Sequence, residues 1–218
     1  GHKFTSVSQD HDGVTASFVD PQGNALPKVR ANVMVGCDGV SSTVRKQFYP
    51  EEGDPVYSGL TVWRGVTSHK PFLSGADTIR AGWMNVGKLM VYPIRDNIDA
   101  DGNQLMNWVA TLERPKPTSY DWNGQAKLED FFEPYSKWKF DWLDVPALLQ
   151  KTERYMVYPM VDRNPVSTWT FGRVTLLGDA AHPMYPRGSN GAGQSILDAR
   201  YMTGCFKRRG VTEDALQD

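Results

Sequence analysis

The sequence predicts a mixed α+β / α/β fold in which an antiparallel sheet is inserted between two segments of one α/β domain. Two short apolar runs, 31–35 and 173–177, each precede a glycine, a turn and a helical pattern, which is typical of strands in an α/β sheet. Between residues 60 and 161, strand-like runs alternate with polar turns, which is typical of an antiparallel sheet. We therefore divide the chain into residues 1–50, 51–165 and 166–218.

The composition excludes several classes of protein. The 218 residues are 40% hydrophobic and carry a formal net charge of -1, with Lys and Arg scattered, so they indicate a globular protein without a basic surface for nucleic acid. Cys37 and Cys205 lie far apart, without the spacing of metal ligands or of a disulfide framework, and no apolar run is long enough to cross a membrane. We expect a cytoplasmic protein with no metal site and no membrane partner.

The first segment opens with a hairpin. Alternating runs at Phe4–Val7 and Val14–Val19 flank His11-Asp12-Gly13, and Asp-Gly between such runs is a strong hairpin signal. A turn follows at residues 21–24, and the compact apolar run Ala31–Val35 predicts one buried strand. This strand leads into the first of two motifs.

The middle segment combines strands with short helical stretches and large rings. We predict strands at Leu60–Thr67, Lys88–Ile94, Gln104–Glu113 and Tyr155–Val161. A helical pattern covers 128–135, with Pro134 disturbing its end, and Asp144 is placed to cap a further short helix. Six of the seven tryptophans fall here, and they form either ordinary core or a flat aromatic wall: Trp63, Trp83, Trp108, Trp122, Trp138 and Trp142.

The last segment carries the stronger motif. The strand at 173–177 leads into Gly178-Asp179-Ala180-Ala181-His182-Pro183, and a helix is predicted over Gln194–Phe206 with Ile196, Leu197, Tyr201 and Cys205 on one face. Between them lie Pro186, Gly188, Asn190 and Gly191. An acid after a strand, glycines that let the backbone approach a ligand, and the positive end of a helix dipole suit a polar, electron-rich cofactor. For the Gly-Asp pair alone, a turn without a ligand is the alternative.

This run resembles the flavin-ribityl motif of FAD monooxygenases of the para-hydroxybenzoate hydroxylase type. The resemblance implies that Asp179, after Gly178, holds a ribityl hydroxyl and that Pro186 lies against the isoalloxazine ring. It also implies that the backbone of Gly188, Asn190, Gly191 and Ala192 faces the N1–C2=O edge of the flavin. These residues are therefore expected to bind the cofactor.

A second motif, from Asp38 to Arg45, resembles the DGxxSxxR signature of the same family. Asp38-Gly39 turns the chain out of the predicted strand, and Ser41 or Ser42 is placed to cap the helix that begins there. The resemblance implies that Asp38, Gly39 and Arg45 lie on the cofactor side, where FAD and the pyridine nucleotide meet.

The likeness covers about residues 31–199 and is strongest to the phenazine (5-methylphenazine-1-carboxylate) monooxygenase branch. It includes the segments 63–67, 91–94, 107–109 and 158–163, and Met184-Tyr185-Pro186. No GxGxxG follows a strand, so we expect the family's first strand and nucleotide loop upstream of Gly1 and interpret the chain as a fragment. The implied fold is a partial Rossmann-like FAD-binding domain with an inserted antiparallel-sheet substrate domain.

The implied activity is hydroxylation of a small planar aromatic acid. In this family NADH or NADPH reduces FAD, and the reduced flavin activates dioxygen as a C4a-hydroperoxide, so the protein needs no nucleophile or metal. Arg64, a cation on an otherwise apolar strand, is the candidate to meet a substrate carboxylate or the flavin edge; an outward-facing arginine is the alternative. His182 is expected to set the turn of its motif rather than act as a base.

Two other functions stay open. One is a flavin-dependent reductase or dehydrogenase of the same fold, and the other is a non-catalytic fragment that binds an aromatic ligand. The sequence predicts neither the identity of the substrate, nor the choice of nicotinamide, nor the oligomeric state.

Overall fold

The computed structural model describes residues 1–117 and 124–218. Its strands are β1 (Lys3–Asp10), β2 (Gly13–Val19), β3 (Val29–Ala31), β4 (Met34–Gly36), β5 (Val56–His69), β6 (Ile79–Trp83), β7 (Gly87–Arg95), β8 (Gln104–Glu113), β9 (Gln125–Ala126), β10 (Lys139–Phe140), β11 (Leu143–Asp144), β12 (Tyr155–Asp162), β13 (Thr170–Phe171) and β14 (Val174–Leu176). Its α-helices are α1 (Thr43–Phe48), α2 (Val145–Gln150), α3 (Gly191–Arg209) and α4 (Glu213–Gln217).

The chain forms two compact units, one inserted in the other. The first consists of Gly1–Val56 and Val161–Asp218, and the second of Tyr57–Met160. The mixed fold with an inserted antiparallel sheet is therefore confirmed. Among the described residues, no helix is both long and apolar enough to cross a membrane.

The first unit contains two small sheets. One has the order β1-β2-β3 and is antiparallel, and its predicted hairpin closes through His11 and Asp12, because Asp10 pairs with Gly13. The other has the order β13-β14-β4, in which β14 and β4 run parallel. A small core joins strands from both sheets with α1, and its buried members are Val7, Val14, Val44, Val174, Leu176, Ala180 and Ala181.

The prediction of one buried strand over Ala31–Val35 is wrong. Val29–Ala31 pairs antiparallel with β2 and is exposed, whereas Met34–Gly36 pairs in parallel with β14 in the other sheet. The two strands differ in partner and direction, so the apolar run is divided between two sheets. Its local pattern does not show the break, because the break is set by the distant partner strands.

The second unit is a sheet of order β6-β7-β8-β5-β12-β9. One face is covered by α2 and by the 3-10 turns Leu128–Asp130 and Glu133–Tyr135, whose side chains join the core. The helical prediction over 128–135 is wrong in type, because Pro134 interrupts the α pattern and the segment forms two tight turns. The predicted cap is present, since the Asp144 carboxylate accepts a hydrogen bond from the Ala147 N–H.

The tryptophans of the second unit belong mainly to this ordinary core. Trp63 and Trp108 are buried within it, and Trp138 and Trp142 pack against it. Trp83 is 76% exposed, and Trp122 lies outside the described residues. Trp63, Trp108, Trp138 and Trp142 therefore stabilise the covered face rather than form a wall for a ligand.

Helix α3 begins at Gly191, three residues before the predicted start. The expected buried face is present only in part. Cys205 is buried, but Ile196, Leu197 and Tyr201 are all more than half exposed.

Candidate functional site

The first motif forms a turn that caps α1. The carboxylate of Asp38 accepts hydrogen bonds from the Ser42 hydroxyl at 2.5 Å and from the Thr43 N–H at 2.7 Å. Ser42 Oγ in turn accepts from the Arg45 N–H, so Ser42 is the cap that the sequence left open between two serines. Gly39 has φ +79°, a left-handed conformation that favours glycine. The side chain of Asp38 is thus used inside the turn.

The second motif forms a turn that is held from helix α3. Gly178 has φ +60°, and a side chain there would meet Ser195. One carboxylate oxygen of Asp198 accepts from the Gly178 N–H at 3.0 Å and lies 2.6 Å from His182 Nε2. His182 is therefore engaged in the turn rather than free as a base. Asp198 was not predicted as a site residue, although the sequence places this acid on the helix predicted to follow the motif.

Arg45 joins the two motifs. Its guanidinium donates to the backbone carbonyls of Ala180 at 3.1 Å and Ala181 at 2.7 Å, and to that of Asn164 at 3.0 Å. It also makes a two-pronged ion pair with Glu52, with distances of 2.9 and 2.5 Å. These bonds use all five N–H donors of the side chain, which is 1% exposed. Arg45, expected on the cofactor side, has no donor left for a ligand in this arrangement.

A second arginine completes the charge cluster. Arg163 donates to Glu52 at 3.1 Å, to the Val40 carbonyl at 2.7 Å and to the Gly53 carbonyl at 2.9 Å. Glu52 is thus shared by two arginines, and the chain on both sides of α1 is tied to residue 163. The sequence does not single out Glu52 or Arg163, because Glu52 lies beyond the end of α1, seven residues from Arg45, and Arg163 lies 111 positions from Glu52.

Asp179 differs from these engaged residues. It is exposed, and none of the described residues makes a hydrogen bond to its carboxylate. Its Oδ1 lies 3.7 Å from where a Cβ on Gly191 would stand, which places the carboxylate beside the first residue of α3. The carboxylate is therefore available to a ligand that approaches the start of this helix.

The start of α3 offers free N–H groups. Pro186–Gly188 forms a 3-10 turn, Ser189 has a left-handed φ of +54°, and Asn190 precedes the helix without a side-chain cap. The N–H groups of Gly191, Ala192 and Gly193 have no acceptor among the described residues. Such groups carry the positive end of the helix dipole and favour a negatively charged or electron-rich ligand.

The carboxylates of Asp38 and Asp198 also affect the pKa of the nearby thiol of Cys37. Desolvation raises the pKa of Cys37, and the negative charges of Asp38 and Asp198 raise it further. The Cys37 thiol is therefore protonated at neutral pH, whereas the thiolate is the nucleophilic form of cysteine.

Arg64 lies in the other unit, on the sheet face that α2 leaves uncovered. It is exposed on β5, opposite Val109 of β8, and one of its terminal nitrogens donates to Asn107 Oδ1 at 3.3 Å. Asn107 was not predicted as a site residue; its signal is a buried amide between apolar neighbours on a strand.

The chain is similar in sequence to flavoproteins. The family model described as FAD binding domain matches residues 1–205. A phenazine 1,6-dicarboxylic acid hydroxylase from Lysobacter antibioticus is 38% identical over 200 residues, which are 89% of this chain and 49% of that protein. A 6-hydroxynicotinate 3-monooxygenase from Bordetella bronchiseptica is 29% identical over 216 residues, which are 98% of this chain and 52% of that protein. The chain thus spans about half the length of these curated relatives.

The fold is also similar to solved structures. The chain matches 2,6-dihydroxypyridine-3-hydroxylase from Arthrobacter nicotinovorans with a TM-score of 0.75 and 23% identity, over 99% of this chain and 58% of that one. It matches HpxO from Klebsiella pneumoniae, solved with FAD and uric acid, with a TM-score of 0.74 and 21% identity, over 100% of this chain and 52% of that one. At these identities the likeness establishes a shared fold.

Proposed function

The chain belongs to the FAD binding domain family, and from this premise we propose that the whole protein is an FAD-dependent monooxygenase that hydroxylates a planar aromatic acid. The observation that carries the proposal is the exposed carboxylate of Asp179 beside the free N–H groups at the start of α3. A carboxylate accepts hydrogen bonds from sugar-like hydroxyls, and free helix N–H groups favour an electron-rich ring edge. This combination fits the ribityl chain and the N1 edge of a flavin.

When bound, FAD would carry electrons from NADH or NADPH to dioxygen, which is the chemistry that amino-acid side chains lack. Asp179, after the Gly178 turn, would accept a hydrogen bond from a ribityl hydroxyl. The backbone from Gly188 through Asn190 to Ala192 would place positive potential at the ring edge, and Pro186 would lie against the ring. The protein's part is to orient the reactants and exclude water.

For the first motif we propose a different division of roles. The Asp38-Gly39 turn would present its backbone to the cofactor, because the Asp38 carboxylate is used in capping α1. Arg45 would act as a positioning residue, since it holds the carbonyls of Ala180 and Ala181, the residues that follow Asp179. We further propose that the inserted sheet is the substrate domain and that Arg64 meets the substrate.

The relatives support an aromatic acid as substrate. Their names specify a phenazine dicarboxylic acid and a hydroxynicotinate, each an aromatic ring bearing a carboxyl group. We also propose a cytoplasmic location, which suits two cysteines that are both free.

The test is to follow NADH and NADPH oxidation by the whole protein with and without phenazine, salicylate and nicotinate-type acids. We expect at least one acid to accelerate oxidation and to appear as a hydroxylated product. If an acid accelerates oxidation but no acid in the panel is oxygenated, the reductase function replaces the monooxygenase one.

A further inference from the structure

We propose that Asn107 and Arg64 form a carboxylate-binding pair on the uncovered face of the inserted sheet, and that the pair selects an acid over an uncharged ring. This inference rests on the proposed function, because it identifies the group by which a substrate of that function is held.

Strand register places the pair on one face. Val66 of β5 lies opposite Asn107 of β8, and Asn107 lies opposite Tyr92 of β7. Side chains of directly opposed residues point to the same side of a sheet, and Arg64 is two residues from Val66, so it shares this side. The hydrogen bond from Arg64 to Asn107 Oδ1 agrees with this diagonal arrangement.

The amide of Asn107 is buried and only half satisfied. The residue is 6% exposed, and its Nδ2 has no acceptor among the described residues. Turning the amide around, so that its oxygen and nitrogen change places, would not satisfy the group. Nδ2 would then lie next to the guanidinium of Arg64, and both groups are hydrogen-bond donors. A buried N–H without a partner is unfavourable, and a ligand acceptor would satisfy it once the side chains that cover Nδ2 move aside.

The surroundings define the chemistry of that acceptor. Arg64 is exposed, and its bond to Asn107 is the only one it makes to the described residues, so most of its N–H donors are free. The free groups of the pair are all donors, beside a fixed positive charge, which suits the two oxygens of a carboxylate. Val66, Val109 and Tyr92 on the same face provide apolar contact for an attached ring. An aromatic carboxylate combines both features.

The experiment is calorimetric titration of the whole protein with phenazine-1-carboxylate and, separately, with its uncharged primary amide. The variants are Asn107→Leu, which nearly keeps the size of the side chain and removes the donor without adding a charge, and Arg64→Gln. Thr111→Val is the matched control, since Thr111 is also buried and lies on the same strand and the same face.

We expect the unmodified protein to bind the acid more tightly than the amide. In both variants the affinity for the acid should fall about 10- to 100-fold, the effect of one lost hydrogen bond to a charged group. The affinity for the amide should fall less, because its carbonyl oxygen accepts a weaker hydrogen bond that involves no ligand charge. Thr111→Val should leave the ratio of the two affinities unchanged. Because Arg64 is exposed, Arg64→Gln keeps the test of the pair valid even if Asn107→Leu fails to fold.

Three results would overturn the assignment of this pair. The variants could lower the affinities for acid and amide equally, they could leave both affinities unchanged, or the unmodified protein could bind the acid no more tightly than the amide. The proposed function is judged separately, by oxygenated product. Acid-selective binding without product would contradict the function but not the pair, and product formation with unchanged selectivity in the variants would contradict the pair but not the function.

Discussion

Two aspartates in similar turns have different tasks. Both oxygens of Asp38 accept hydrogen bonds from the start of α1, so this carboxylate stabilises its own turn. Asp179 follows a glycine with a left-handed φ and makes no such bonds to the described residues. The unengaged carboxylate, rather than the presence of an aspartate beside a glycine, is the reason we propose a ligand contact at Asp179.

Substitutions of Asp179 should therefore weaken flavin binding in a graded order. A hydrogen bond to a charged group contributes about 1.5–3 kcal/mol, so Asp179→Ala should raise the dissociation constant for FAD roughly ten- to a hundredfold. Asp179→Asn should have a smaller effect, because the amide keeps an acceptor oxygen. Titration of the apoprotein with FAD measures the order, and thermal melts control for folding. Equal constants in all three folded proteins would remove Asp179 from the ribityl site.

Arg45 should affect stability before it affects chemistry. Removing one partner of a buried ion pair costs about 3–5 kcal/mol, because the remaining groups lose their compensation. We expect Arg45→Met to lower the free energy of unfolding by about this amount, and Arg45→Lys to recover only part, since lysine cannot make the two-pronged contact with Glu52. Urea denaturation measures both. Unchanged stability of Arg45→Met would show that the cluster does not stabilise the fold.

At the scale of elements, the turn after β14 depends on α3. Asp198 holds both Gly178 N–H and His182, so it fixes the path of the chain around Asp179. Asp198→Asn should therefore weaken FAD binding although Asp179 is untouched, and should lower stability by about 1–2 kcal/mol. The matched control is Asp214→Asn on α4, an exposed aspartate. If both variants bind FAD like the unmodified protein, the turn is held by other contacts.

Tyr135, in the 3-10 turn that packs on the inserted sheet, should make the free energy of unfolding depend on pH. Burial raises the pKa of Tyr135, whose hydroxyl donates to the carbonyls of Lys88 and Thr111. In the unfolded chain the phenol ionises near pH 10, so its contribution is complete below pH 10 and is lost as the pH rises towards the higher folded value. Tyr135→Phe should flatten this alkaline loss. An identical alkaline profile in urea denaturation would contradict the role of Tyr135.

Elements with local signals were predictable from the sequence, and those set by distant partners were not. The hairpin of β1 and β2, the cap at Asp144 and the bounds of β8 follow from turn chemistry, capping and a mostly apolar run between polar turns. The division of Ala31–Val35 between two sheets depends on strands elsewhere in the chain. The prediction of a buried face on α3 is wrong in part for a similar reason. Periodicity shows which residues share a face of a helix, but it does not show which part of the protein covers that face.

At the scale of the whole molecule, the first unit is assembled from the two ends of the chain. Strand β4 pairs with β14, and Arg45 bonds to residues more than a hundred positions later. The motif residues were found by likeness to a family, whereas Glu52, Arg163 and Asn107 were not predicted as site residues, because only the folded chain brings Glu52 and Arg163 together with Arg45, and Asn107 to Arg64. Conversely, the sequence suggested a cofactor contact for Arg45, whose donors prove to be used inside the protein.

The most direct test of the proposed monooxygenase is to supply isotopically labelled dioxygen to the whole protein with FAD, a nicotinamide and the aromatic acid that best stimulates its oxidation. We predict one labelled oxygen atom in the aromatic product for each nicotinamide oxidised. Label found only in peroxide or water, with the acid unchanged, would contradict the claim that this protein inserts oxygen into its substrate.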